Sequence, residues 1–112
     1  MENLTYVTGN YGKYVSVKEK IEKFNITINY FKHDLNEPNI NDIKFISKEK
    51  VRQAFELLDH PVFVSDSGFY IEKYPNNPRY PGAFVKRSGV SSNIKNLLKI
   101  MKDVSDRSCY FL

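Results

Sequence analysis

Cysteine occurs once in the chain, at Cys109. A single thiol excludes an internal disulfide and any cysteine-cluster zinc site, and it fits a reducing, cytoplasmic setting. Long apolar runs are lacking as well, none approaching the roughly 18 residues that a membrane span requires. The N-terminus has neither a basic leader nor an apolar h-region, so no secretory signal is expected. Repeats and low-complexity segments are missing too. So is a Walker A loop, which needs two glycines five residues apart followed by Lys and Ser or Thr. Here the corresponding order is Gly9, Gly12, Lys13, Tyr14.

Charge of one sign is only slightly in excess, at 17 Lys and Arg against 13 Asp and Glu. The excess is not gathered into a patch. Lys18, Glu19, Lys20, Glu22 and Lys23 alternate in sign, as do Lys48, Glu49, Lys50 and Arg52. That alternation is the pattern of solvated helix surface. The aromatics form no recognisable stacking set for single strands. Neither nucleic acid nor a membrane is therefore expected as a partner, whereas a nucleotide, a smaller polyanion, suits the same surplus.

What is present is a chain of 112 residues, 41% hydrophobic, with eight Tyr and eight Phe. Its size allows one domain, 1–112, with a modest core. Leu4 to Thr8 reads as a β-strand halted by Gly9-Asn10. From Lys13, the residues Tyr14, Val17, Ile21 and Phe24 form one helical stripe. Ile26, Ile28 and Tyr30 alternate with polar residues as a half-buried strand. A polar loop from His33 to Asn41, holding Asp34, Glu37 and Pro38, leads to a second helix with Asn41 as its expected cap. That helix has Val51, Ala54, Phe55 and Leu58 on its apolar stripe and Lys50 at the edge.

Pro61 restarts the chain as the strand Val62-Phe63-Val64, which runs into Ser65-Asp66-Ser67-Gly68. Residues 75–82, PNNPRYPG, are too rich in Pro and Asn for regular structure. A third helix is expected from about Ser92, with Ile94, Leu97, Leu98 and Met101 inward. Arg107 to Leu112 opens another strand, read as buried. The alternation predicts an α/β fold, a mixed β-sheet flanked by helices. Because CYFL reads as mid-strand, the domain is expected to continue beyond Leu112.

Four places carry groups suited to chemistry at strand ends or loops. A helix N-terminus beside Lys13, following Thr8-Gly9-Asn10, suits an anion. Asp66, where a strand emerges, suits holding Mg²⁺ or orienting a water. It equally suits capping its turn through the amides of Ser67 and Gly68. Glu37 reads as a solvated loop carboxylate that gains a role only if the fold brings it near Asp66. A pair of converging carboxylates would suit a Mg²⁺–triphosphate complex. Lys13 and Lys50 taken singly are surface lysines, the latter bordering an apolar stripe as a snorkelling side chain does. Lys86, in PGAFVKR, is a candidate third cation. His33 and His60 have no partner spacing and receive no role.

Taken in order, these segments resemble the N-terminal part of the Ham1-like inosine triphosphate pyrophosphatases. VTGNYGK looks like the opening Thr-Gly-Asn-x-x-Lys signature, and HDLNEP is similar to the segment with the family's magnesium glutamate, here Glu37. KVRQAF resembles the helix with a phosphate-contacting lysine, here Lys50, followed four residues on by Ala54. PVFVSDSGFYI resembles the strand and turn of the catalytic aspartate, here Asp66, with Ser67 after it. YPGAFVK and NIKNLLKIM match the Pro-Gly-aromatic stretch and the helix beyond it.

The resemblance implies a Ham1-type α/β fold, broadly Maf-like, and a Mg²⁺-dependent pyrophosphatase. Its substrates would be the non-canonical purine nucleotides ITP, dITP and XTP, cleaved to the monophosphate and pyrophosphate. It implies Asp66 as general base and metal contact, with Glu37 as the second metal carboxylate. Thr8, Gly9, Asn10, Lys13, Lys50, Ser67 and Lys86 would hold the substrate. Ser16 departs from the family's glutamate, and extra residues lie before Lys50 and around YPNNPRY. The family's Phe-Gly-Tyr-Asp and Ser-His-Arg segments, which select the base, have no counterpart in these residues. Two other readings stand beside this one: an inactive nucleotide- or polyphosphate-binding module, and a Maf-like pyrophosphatase of different base preference. The family forms homodimers, whereas an exposed strand edge at Leu112 favours non-native pairing.

Overall fold

The structure, a computed structural model, describes residues 2–112. Its contacts divide the chain into two compact units, one of residues 2–38 and 45–65, the other of 39–44 and 66–112. Both parallel and antiparallel strands are present, in two three-stranded sheets with helices. This is the mixed α/β class expected from the alternation of elements. Among the described residues, no helix is long and apolar enough to cross a membrane.

The first unit is built on strands β1 (Glu2–Thr8), β2 (Ile26–Lys32) and β3 (Val62–Phe63), parallel, in the order β2-β1-β3. A middle strand of a parallel sheet is commonly covered on both faces and then has no wet face to alternate with. The middle strand β1 accordingly buries three consecutive residues, Thr5, Tyr6 and Val7. Tyr6 stacks on Phe63 of β3 at 4.5 Å between ring centroids, and its hydroxyl hydrogen-bonds Ser65 Oγ.

Helix α1 (Tyr11–Ile21) packs on β2. Tyr14 stacks on Tyr30 at 4.8 Å, and its hydroxyl donates to Ile28 O at 3.3 Å. The helix begins two residues before the expected Lys13 and ends at Ile21. A 3₁₀ turn, Glu22–Phe24, follows, closed by Asn25 in the left-handed region at φ 62°. Phe24, expected on the helical stripe, is therefore off the helix and exposed.

Helix α2 (Ile43–Leu58) turns Ile46 and Ala54 fully inward. Phe55, expected on the same stripe, is 51% exposed. It lies about 100° around the helix from Ala54, off the buried line of Ile46 and Ala54. Asn41 is not the helix cap. Asp42 is, its Oδ1 accepting from the Lys44 N–H at 3.1 Å.

In the second unit, β4 (Phe69–Ile71), β5 (Pro81–Gly82) and β6 (Cys109–Phe111) pair antiparallel in the order β5-β4-β6. Ile71, Val90 and Met101 form its core with Phe69, Tyr74, Tyr80, Leu97 and Val104 against them. Helix α4 (Ile94–Ile100), capped by Asn93 on Asn96 N–H, sends Leu97 inward, with Met101 at its C-terminal cap. Ile94 and Leu98 are exposed, contrary to expectation. Two turns of helix over a small core cover only the single i, i+4 line.

Strand β6 exists where expected but is not buried. It is a sheet edge whose Phe111 is 75% exposed. Its rings lie along the sheet, Phe111 on Phe69 and Tyr110 on Tyr70, each at 4.8 Å. The Pro- and Asn-rich stretch is turns up to Tyr80, and Pro81–Gly82 then adds β5. Asn41 pins that point, its Oδ1 accepting from Ala83 N–H at 2.7 Å and its Nδ2 donating to Pro81 O at 3.4 Å.

Gly82 is at φ 58°, and a Cβ there would lie 2.5 Å from Asn41 Oδ1. Gly82→Ala is thus expected to lower stability by at least about 1 kcal/mol. Urea unfolding measures this, and a midpoint equal to that of the unchanged chain would contradict it.

Candidate active site

Thr8 and Lys32 are register partners at the ends of β1 and β2. The turns that follow them therefore leave from the carboxyl edge of a parallel sheet, where α/β folds place their ligands. The Asn10 N–H donates to Thr8 Oγ1 at 3.1 Å, and the His33 N–H donates to Thr8 O at 3.3 Å. Asn10 is the N-cap of α1, its Oδ1 accepting from Lys13 N–H at 3.3 Å. That cap is why the helix starts at Tyr11 and why Lys13, exposed, sits in the first turn.

Gly9 is closely approached by a side chain. A Cβ there would fall 1.9 Å from Asp34 Oδ1. The neighbour is the carboxylate of a loop residue 25 positions on, which no spacing rule could link to Gly9.

The same unit brings Glu37 and Lys50 together. Glu37 Oε1 lies 4.0 Å from Lys50 Nζ, with the two side chains 32% and 19% exposed respectively. Lys50 stands one helical turn from each of the buried Ile46 and Ala54, so its stem runs beside the apolar face while the ammonium reaches the loop. The loop is held from α2 a second time. Asn36 N–H donates to Gln53 Oε1 at 3.0 Å, and Gln53 Nε2 donates back to Asn36 O at 3.0 Å.

Nearby on the helix, Arg52 forks between Glu49 and Glu56. Its hydrogen bond holds the Glu49 carboxyl below the usual range, with a smaller contribution from Gln53. The two carboxylates in turn raise the pKa of the guanidinium. Glu49 is thus engaged on the helix itself, and Glu37 is the carboxylate presented by the loop.

Asp66, Ser67 and Lys86 belong to the second unit. Asp66 is half-buried, with Oδ2 shielded from solvent, and Ser67 is exposed. The turn is tied to the end of β6, because Gly68 N–H donates to Leu112 O at 2.9 Å and Leu112 N–H to Gly68 O at 3.1 Å. The Gly68 amide is thereby supplied across the sheet. A Cβ at Gly68 would lie 3.0 Å from Gly82 O, so backbone meets backbone there. Lys86 is exposed on α3 (Val85–Ser88), beside Arg87, which donates to Asn39 Oδ1 at 2.7 Å.

His33 and His60 are exposed. Among the described residues, no three His, Cys, Asp or Glu side chains gather into a metal cage. Two residues of the first unit's arrangement escaped the reading of the sequence, Asp34 and Gln53. Both lie within the quoted segments HDLNEP and KVRQAF, but each works through a contact distant in sequence.

By its fold the chain is an α/β protein of the Ham1 type. It superimposes on the solved structure of the Staphylococcus aureus Ham1 protein with a TM-score of 0.71, at 19% identity, over 96% of this chain and 59% of that one. The chain belongs to the Ham1 family, whose sequence profile matches residues 4–112. A dITP/XTP pyrophosphatase of Saccharolobus solfataricus is 27% identical over 106 residues, 95% of this chain and 54% of the relative. One of Methanosarcina acetivorans is 29% identical over 111 residues, 99% of this chain and 59% of the relative. The chain therefore spans somewhat over half the length of these relatives.

The pair Glu37–Lys50 is too exposed and too long to contribute much to folding. Glu37→Gln and Lys50→Met are each expected to change stability by less than about 1 kcal/mol. Chemical denaturation checks this, and a larger loss in either variant would make the pair a structural element.

Proposed function

We propose that this chain supplies the phosphate- and metal-binding part of a nucleoside triphosphate pyrophosphatase acting on non-canonical purine nucleotides, ITP, dITP and XTP. The observation that carries the reading is the approach of Glu37 and Lys50, a carboxylate and an ammonium. They lie in the same unit as the capped Thr8–Lys13 turn. Membership of the Ham1 family and relatives named dITP/XTP pyrophosphatase support it.

The residues fit Mg²⁺ as the cofactor. This ion commonly takes one or two protein carboxylates and completes its shell with substrate phosphates and waters, so no all-protein cage is needed. Glu37 and Asp66 are the carboxylates assigned to it. Bound with a triphosphate, Mg²⁺ supplies charge neutralisation on the phosphate oxygens.

Lys13, Lys50 and Lys86 add positive charge for the same oxygens, and the Thr8 and Gly9 amides and the Ser67 hydroxyl donate hydrogen bonds to them, whereas the Asn10 amide is given to Thr8 Oγ1. Asp66 orients a water and accepts its proton. The α–β phosphoanhydride breaks, and nucleoside monophosphate and pyrophosphate leave. A cytoplasmic location and pairing into a homodimer belong to the same proposal.

The test is pyrophosphate release from ITP with Mg²⁺, with Asp66→Asn alongside. The variant is expected to fold normally and to lose activity about 100-fold or more, which corresponds to nearly 3 kcal/mol of transition-state stabilisation. Equal activity in Asp66→Asn removes the assigned mechanism. Mg²⁺-dependent nucleotide binding without turnover would instead identify the chain as a binding module. A substrate panel separates purine from Maf-like preferences.

A further inference from the structure

Gln53 lies nearly one helical turn beyond Lys50 on α2, and both reach the same loop. Its side-chain amide satisfies both polar groups of one residue, accepting from Asn36 N–H and donating to Asn36 O, each at 3.0 Å. A two-point clamp of this kind sets where a backbone segment sits and how it is rotated, which a single hydrogen bond does not.

The residue next to the clamped one is Glu37, whose carboxylate lies 4.0 Å from Lys50 Nζ. Helix α2 thus holds two consecutive loop residues, one by its backbone and one by its side chain. The clamp is exposed to solvent, where such bonds add little to folding, so its consequence lies in the placement of Glu37. Groups that orient a metal-binding carboxylate without touching the ion commonly alter metal affinity by about 10- to 100-fold when removed.

We infer that Gln53 is a positioning residue, clamping the Asn36 backbone so that the Glu37 carboxylate is presented to the divalent cation of the metal–triphosphate substrate. The inference rests on the function proposed above, since it concerns the metal role of Glu37.

The experiment compares the unchanged chain with Gln53→Ala and Glu37→Gln, using Mn²⁺ as the probe ion and a non-hydrolysable inosine triphosphate analogue. Electron paramagnetic resonance of free Mn²⁺ gives the metal affinity. Nucleotide affinity in chelator and the thermal unfolding midpoint are measured in parallel. Gln53→Ala is expected to weaken Mn²⁺ binding by about 10-fold or more, with the metal-free nucleotide affinity and the midpoint unchanged. In turnover assays, saturating Mg²⁺ should restore activity to Gln53→Ala and leave Glu37→Gln impaired, as expected when placement is lost and the ligand is kept.

Gln53→Met retains the length of the side chain without its hydrogen bonds, and it is read in the same way if the alanine variant unfolds. Mn²⁺ binding that falls in Glu37→Gln and stays level in the Gln53 variants overturns the inference and leaves the proposed function standing. Failure of the unchanged chain to bind Mn²⁺ with the nucleotide overturns both.

Discussion

The middle strand of the parallel sheet, β1, buries Thr5, Tyr6 and Val7 in succession, and the first unit is organised around it. Tyr6 stacks on Phe63, and its hydroxyl is hydrogen-bonded to Ser65 Oγ. The in-register pairing of β1 with β2 then brings Thr8 level with Lys32. Two turns consequently emerge from one edge of the sheet, and the groups they carry share a neighbourhood although far apart in sequence. Asp34 lies against Gly9 for this reason.

Helix α2 adds a second layer of placement. Its buried residues Ile46 and Ala54 hold it in the fold, while Lys50 and Gln53, on the border of that face, reach the loop before the helix. The loop therefore owes its course to the helix that follows it, although its residues have no secondary structure of their own. Glycines serve the same end in the second unit. Gly82 and Gly68 allow backbone and Asn41 to meet at distances that a side chain would forbid, and β5 can then pair with β4.

Much of this was legible from residue types alone. A branched and aromatic run halted by Gly9-Asn10 marked β1, alternation marked β2, and the restart at Pro61 marked β3, while the helical stripe marked α1 two residues late. These signals are local, carried by backbone preference and side-chain period within a few residues. Errors arose where exposure is decided by the number of layers that cover an element. Phe55, Ile94 and Leu98 have apolar side chains at plausible helical spacing and are exposed. Strand β6 is an exposed edge, whereas β5, the other edge of the same sheet, is buried, a difference that residue identity does not encode.

The candidate site divides in the same way. By itself, the sequence determined which residues were chemically able to act: a lysine after a capped turn, a strand-end aspartate, a loop glutamate and a lysine at a helix stripe. Their ordered motifs were enough to place the chain near the Ham1 family. Only the tertiary structure decided that Glu37 meets Lys50, that Gln53 clamps the loop beside it, and that Asp34 lies against Gly9. Side-chain chemistry is a property of each residue. Proximity across 13 to 25 positions arises when the chain closes on its core, and no local rule contains it.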